Sequence, residues 1–237
     1  MAATPITVYL AGDSTLAEKA PDKRPETGWG EFLQQYFPSD RVRVENHAQN
    51  GRSTRTFLSE GRWQAILDRL RPGDYVLIQF GHNDQPKEKV DRHTSPDEFR
   101  HNLTRFAQDV RAREATPVLL TPVMRRRFDA AGRVEDSHAE YPAIVRAVAQ
   151  AHAVPLIDMH RASEEVIQRY GVEGSKRLFL WLGPNDNANY PDGIEDNTHF
   201  LPEGASAMAA LAVQGIQWLG LGLADNLAQT VEGGRAT

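Results

Sequence analysis

The chain has 237 residues, 40% hydrophobic and 25% charged, with a net charge of -5 and no cysteine. That length supports one sizeable core and a single α/β domain, while the charge balance disfavours nucleic acid as the main partner because phosphate binding needs a concentrated basic face. No apolar stretch approaches the roughly 20 residues of a membrane span, and the lack of cysteine excludes disulfides, thiolate nucleophiles and Cys-ligated zinc.

In chain order, apolar runs alternate with helical periods, the pattern of a parallel sheet covered on both faces. Ile6 to Ala11 reads as a buried central strand. Trp29, Phe32, Leu33, Tyr36 and Phe37 share one face of a helix stopped by Pro38, and Val42 to Asn46 alternates as a second strand. Trp63, Ile66, Leu67 and Leu70 mark a helix ended by Pro72-Gly73, and Tyr75 to Phe80 is a third strand. Ser95-Pro96-Asp97-Glu98 has the form of a capping box opening a helix with the stripe Phe99, Leu103, Phe106 and Val110. Pro117 to Leu120 and Val154 to Ile157 are the fourth and fifth strands, separated by a helix through Tyr141, Ile144, Val145, Val148 and Ala149. A short helix is expected around Val166, Ile167 and Tyr170, and a last one from Pro202-Glu203 to Leu219. The domain spans 5–224, and 225–237 reads as a loose tail. Connections 82–95, 122–137 and 174–198 exceed the two to six residues usual in α/β units, which makes them candidate substrate walls.

Four short segments carry chemistry. Ser14 follows the first strand in a turn opened by Gly12, the placement a nucleophile needs. Asp196 and His199 are three apart, a spacing that in a helical turn puts carboxylate and imidazole on one side. His199 would then take the Ser14 proton while Asp196 orients the ring. Gly51, Asn83 and the Ser14 N–H are candidate donors to an oxyanion.

Gly12-Asp13-Ser14, Gly51, Gly81-His82-Asn83-Asp84 and Asp196-Asn197-Thr198-His199 resemble the four blocks of the SGNH (GDSL-type) hydrolases, and their variants resemble the rhamnogalacturonan acetylesterase branch. The similarity covers about residues 6 to 220. It implies a flavodoxin-like three-layer sandwich with a five-stranded parallel sheet. It also implies Ser14, Asp196 and His199 as catalytic residues, and Ser14, Gly51 and Asn83 as the oxyanion hole. The implied reaction removes O-acetyl groups from plant cell-wall carbohydrate without cofactor or metal. An acetylxylan or acetylated-oligosaccharide esterase and a non-catalytic carbohydrate-binding protein are the alternatives. A metal-dependent hydrolase using His82, Asp84, Asp196 and His199 would leave Ser14 without a role.

His82, Asp84, Arg125, Trp181 and Tyr190 are the candidate substrate-binding residues, the aromatics as sugar platforms and Arg125 as a partner for a uronate carboxylate. Trp181 reads equally well as core, and the run Arg125-Arg126-Arg127 as a solvated charge cluster. Met1 to Pro5 shows no basic region followed by an apolar run, so the chain reads as cytoplasmic, or as secreted if a leader was removed.

Overall fold

Five strands form one parallel sheet in the computed structural model, which describes residues 4–228. They are β1 (Ile6–Gly12), β2 (Val42–Asn46), β3 (Tyr75–Gln79), β4 (Thr116–Leu120) and β5 (Leu156–Ile157), in the spatial order β2-β1-β3-β4-β5. Val8 pairs with Val44 on one side and Tyr75 on the other. This is the flavodoxin-like order, and it reverses direction between β1 and β3. Ligands of open α/β sheets bind outside the strand C-termini at such a switch point. Ser14 leaves β1 there, and Asn83 leaves β3.

Alternate strand residues feed two cores. Val8, Leu10, Leu77, Val118 and Leu120 pack on α5 (Met159–Gly174) and α6 (Pro202–Trp218). Tyr9, Ala11, Val76, Ile78 and Leu119 pack on α1 (Thr54–Ser59), α2 (Arg62–Leu67), α3 (Pro96–Arg111) and α4 (Tyr141–Ala151). Because both faces are covered, the strands are apolar throughout rather than alternating. At the start of α3, Pro96 is the first helical residue and the Glu98 N–H donates to Ser95 Oγ at 3.3 Å.

The structure departs from the sequence expectations in four places. Residues Trp29–Tyr36 wind as a 3-10 helix rather than an α-helix. That segment is pressed onto the turn after β1, where the Trp29 N–H donates to Thr15 O at 2.8 Å. The expected short helix near 166–170 is part of α5, which breaks at Gly171. The stretch 174–198 is not one long loop. Within it lie β6 (Phe179–Leu182) and the start of β7 (Ile194–Phe200), an antiparallel hairpin outside the main sheet. Nor does the chain loosen at 225. Gly222–Asn226 form a 3-10 turn, Leu227 packs on the core, and the Ala228 N–H donates to Tyr36 O at 2.8 Å. The rest of the expected tail lies outside the described residues, among which no helix is long and apolar enough to cross a membrane.

Gly28 is where the 3-10 segment meets the β1 turn. A Cβ there would stand 2.1 Å from the Ala17 carbonyl oxygen, so the two backbones can touch only through glycine. Gly28→Ala is expected to lower stability by about 1–3 kcal/mol in urea denaturation, the usual cost of overpacking. An unchanged midpoint would show that the two segments can separate freely.

Candidate active site

The turn after β1 is held by a chain of buried hydrogen bonds. Asp13 is fully buried, and its Oδ1 accepts from the Thr15 N–H at 2.9 Å and the Thr15 hydroxyl at 2.8 Å. Gln79 Nε2 on β3 donates to Thr15 Oγ1 at 2.8 Å, and Trp29 Nε1 donates to Gln79 Oε1 at 3.2 Å. Burial raises the Asp13 carboxyl above its ordinary value despite the Thr15 donors. With its backbone fixed in this way, Ser14 presents its hydroxyl at the strand ends.

The acid–base pair arrives on the hairpin, not on a helical turn. Trp181 pairs with Glu195 and Phe179 with Phe200, so residues 196–199 on β7 face only Leu180 on β6. The surplus bulges out of the ladder. Asp196 Oδ1 accepts the N–H groups of Thr198 at 2.6 Å and His199 at 3.0 Å, which closes the bulge into a compact loop. His199 Nδ1 then lies 2.6 Å from Asp196 Oδ2, and His199 Nε2 lies 2.9 Å from Ser14 Oγ. Burial opposes charge on both partners, yet their hydrogen bond and mutual attraction prevail. His199 sits above the usual histidine value and Asp196 below the usual carboxylate value.

Gly51 adopts φ +78°, a conformation few side chains tolerate. Among the described residues, neither the Gly51 nor the Ser14 N–H donates to a protein atom. Asn83 is buried and spends one Nδ2 hydrogen on Arg52 O at 3.1 Å, leaving the other available. Ser14, Gly51, Asn83, Asp196 and His199 line one cavity of about 420 Å³. A neighbouring cavity of about 640 Å³ shares Ser14, Asn83 and His199 with it.

Three further residues brace this arrangement: Lys19 and Glu26, which the sequence does not single out, and Arg126, which it marks only as part of a basic run. Lys19 is buried, donates to Ser14 O and to Asn50 Oδ1 at 2.8 Å, and pairs with Glu26 at 2.8 Å. Burial lowers its pKa, while Glu26 opposes that shift. Glu26 Oε1 also stands 3.9 Å from His199 Nε2. Arg126 accounts for Asn197. Its Nη1 donates to Asn197 Oδ1 at 2.9 Å, its backbone N–H to Asn197 O at 2.8 Å, its Nε to Ser175 Oγ at 3.0 Å, and its Nη2 to Val172 O. The bulge is thereby tied to α5. Arg127 is exposed and pairs with Glu135 at 2.9 Å.

The candidate substrate residues fare unevenly. Tyr190 lines the cavity with Ser14, its hydroxyl donating to Lys23 O at 3.0 Å. Arg125 and His82 line the other cavity. Arg125 also holds its walls together, donating to Ser137 O at 2.9 Å and His82 O at 3.2 Å. Two expectations are corrected. Asp84 has no exposed surface and cannot meet a sugar; its Oδ1 instead accepts the Thr54 N–H and hydroxyl at 2.9 and 2.6 Å, anchoring the start of α1. Trp181 has the Arg126 and Lys176 cations over its ring, 4.8 and 4.6 Å from the centroid, and its Nε1 donates to Asn197 Oδ1 at 3.0 Å. It braces the hairpin and offers no free sugar platform. Nor do His82, Asp84, Asp196 and His199 form a donor set, since Asp84 is spent on Thr54 and His199 on Ser14.

The sequence matches the GDSL-like lipase/acylhydrolase family over residues 10–207. The chain belongs to that family. It is a carboxylic ester hydrolase, and similar proteins include two from Bacillus subtilis (strain 168). Rhamnogalacturonan acetylesterase RhgT is 49% identical over 94% of both chains, and the probable rhamnogalacturonan acetylesterase YesY is 36% identical over 93% of this chain and 96% of its own. The solved structure of Bacillus subtilis protein YXIM superposes with a TM-score of 0.79 at 30% identity, over 92% of this chain and 58% of that one. Acetylxylan esterase Axe2 of Geobacillus stearothermophilus, at 19% identity and a TM-score of 0.62 over 90% of this chain and 95% of its own, shares the fold.

In this GDSL-like enzyme, burial pushes Asp84 up to about 7 even though its Thr54 donors favour the anion. An unfolded Asp titrates near 3.9, so the folded state retains the proton longer as pH rises. The associated stability is fully present below about pH 4 and lost as pH climbs through about 7. Asp84→Asn keeps the acceptor for Thr54 and removes this loss. Relative to wild type, the variant is expected to gain stability between about pH 4 and 7 and to level off above, in urea titrations at fixed pH. A pH-independent difference would refute the assignment.

Proposed function

We propose that the protein is a cofactor-free carbohydrate O-acetylesterase acting on rhamnogalacturonan or similar pectic polymers through an acyl-enzyme at Ser14. The observation that carries the reading is the unbroken chain Asp196–His199–Ser14 at 2.6 and 2.9 Å, beside two N–H groups that donate to no protein atom among the described residues. Ser14 Oγ attacks the acetyl carbonyl as His199 Nε2 takes its proton, and Asp196 stabilises the imidazolium. The tetrahedral oxyanion is held by Ser14 N–H, Gly51 N–H and Asn83 Nδ2, and the loss of one such donor typically raises the barrier by about 2.7–4 kcal/mol. His199 returns the proton to the departing sugar oxygen, then activates a water that releases acetate.

The similarity to RhgT supports a rhamnogalacturonan substrate. So does the cationic lining: Lys87, Lys89 and Arg125 face one cavity and Lys23, Lys89 and Arg92 the other. Against these cations, Glu88 and Glu140 line the first cavity, leaving it one cation in excess, while in the other Glu26 is engaged by Lys19 and Asp196 by His199. Such a rim suits a polymer carrying uronate carboxylates. Tyr190 and Arg125 are the residues this reading places against the sugar.

Ser14→Ala is expected to reduce aryl-acetate and pectic-acetate turnover by at least about 10³-fold with an unchanged circular dichroism spectrum. Undiminished turnover would end the proposal, and faster acetate release from xylan than from rhamnogalacturonan would reassign the substrate. Since Asp196 and Glu26 raise His199, and only its neutral form accepts the Ser14 proton, kcat/KM is expected to fall on acidification through a pKa above the ordinary histidine value. Asp196→Asn removes the largest support of the imidazolium, so this limb should move to lower pH while the plateau drops by up to about 10⁴-fold. A limb that stays in place would exclude His199 as the titrating base.

A further inference from the structure

A second cluster of chemically capable side chains lies beyond the wall of the Ser14 cavities. Asp136 and His138 belong to the connection after β4, and His160 to the first turn of α5. One ligand-type atom from each lies within 4.8 Å of the others. His160 Nε2 is 3.2 Å from Asp136 Oδ1, which also accepts the His138 backbone N–H at 2.8 Å. His138 is fully buried. Its Nε2 faces His82 Nδ1 at 3.1 Å, whereas its Nδ1 has no partner among the described residues. Nδ1 is the ring nitrogen nearer the backbone, whose N–H Asp136 Oδ1 accepts. A buried polar atom left without a partner is costly, and none of the ester chemistry uses it.

We propose that Asp136, His138 and His160 hold a zinc ion. Two imidazoles and a carboxylate suit zinc, whose N and O ligands at about 2.0–2.2 Å stand roughly 3.3 Å apart in a tetrahedron. The Asp136–His160 pair already has that spacing, and His138 Nδ1 is the third donor. Asp136 is half exposed, which gives the ion a route in and leaves the fourth position to solvent. Occupancy would reach the Ser14 cavity through His82. A metal on His138 Nδ1 keeps that ring's proton on Nε2, where it is donated to His82 Nδ1; His82 then carries its own proton on Nε2. The ion would also pin the connection that brings Arg125, Ala139 and Glu140 to the cavity wall.

The test uses untagged full-length protein, stripped with a chelator and dialysed, then titrated with zinc chloride by calorimetry and followed by thermal denaturation. One zinc per chain at micromolar affinity is expected, with Tm rising by several degrees. Asp136→Asn and His160→Gln should bind at least about 10-fold more weakly and lose the Tm rise. Ser14→Ala should bind as wild type, which separates this site from the esterase reading. Absence of saturable binding, undiminished binding in both ligand variants, or binding that disappears in His199→Ala instead would overturn the proposal.

Discussion

The buried chain Asp13–Thr15–Gln79–Trp29 is the constraint on which the site depends. It joins the turn after β1 to the neighbouring strand and to the 3-10 segment through hydrogen bonds of 2.8 to 3.2 Å in a region without water access. At such burial each bond is expensive to leave unmade, so the loss of one member weakens the others. A serine hydroxyl on a mobile turn would spend little time in line with an imidazole. Here the backbone around Ser14 has almost no freedom, and Lys19 on the Ser14 carbonyl removes more of it.

The parallel sheet supplies the nucleophile and the anion donors, whereas the antiparallel hairpin supplies the base. Asp196 serves both local geometry and electrostatics: one oxygen closes the bulge through two N–H groups, and the other holds the imidazole. Arg126 fixes the intervening Asn197 against the protein body, while Thr198 lines the cavity beside Ser14. The charge on Asp196 is thereby compensated on every side before any substrate arrives, the preorganisation that makes such sites effective.

Much of this was readable from the residues. The five apolar runs, their helical partners and the order of the four segments required only periodicity and turn chemistry. What escaped was whatever depends on contacts distant in sequence. Phe179 to Leu182 is a short apolar run whose strand character appears only once Ile194–Phe200 lies beside it. The spacing of Asp196 and His199 suggested a helical turn, yet a bulge brings positions three apart together equally well. Asp84 looks like a site residue because it adjoins Asn83, but its side chain turns inward to cap α1. Lys19 and Glu26 carried no signal, and Arg126 read as part of a solvated run, since a charged residue on a turn gives no sign of its buried partner.

The split origin of the machinery bears on how this protein fails. Ser14 and His199 come from two sheets whose seam joins polar ties (the Thr27–Phe200 bridge, the Arg126–Asn197 clamp and the hold of Asn189 on the backbone of Pro21 and Arg24) to the burial of Phe179 and Phe200 in the same core as Leu16 and Trp29. A change confined to that seam therefore acts directly on the distance between base and nucleophile, while the hydrogen-bonded ladders of the five-stranded sheet lie elsewhere.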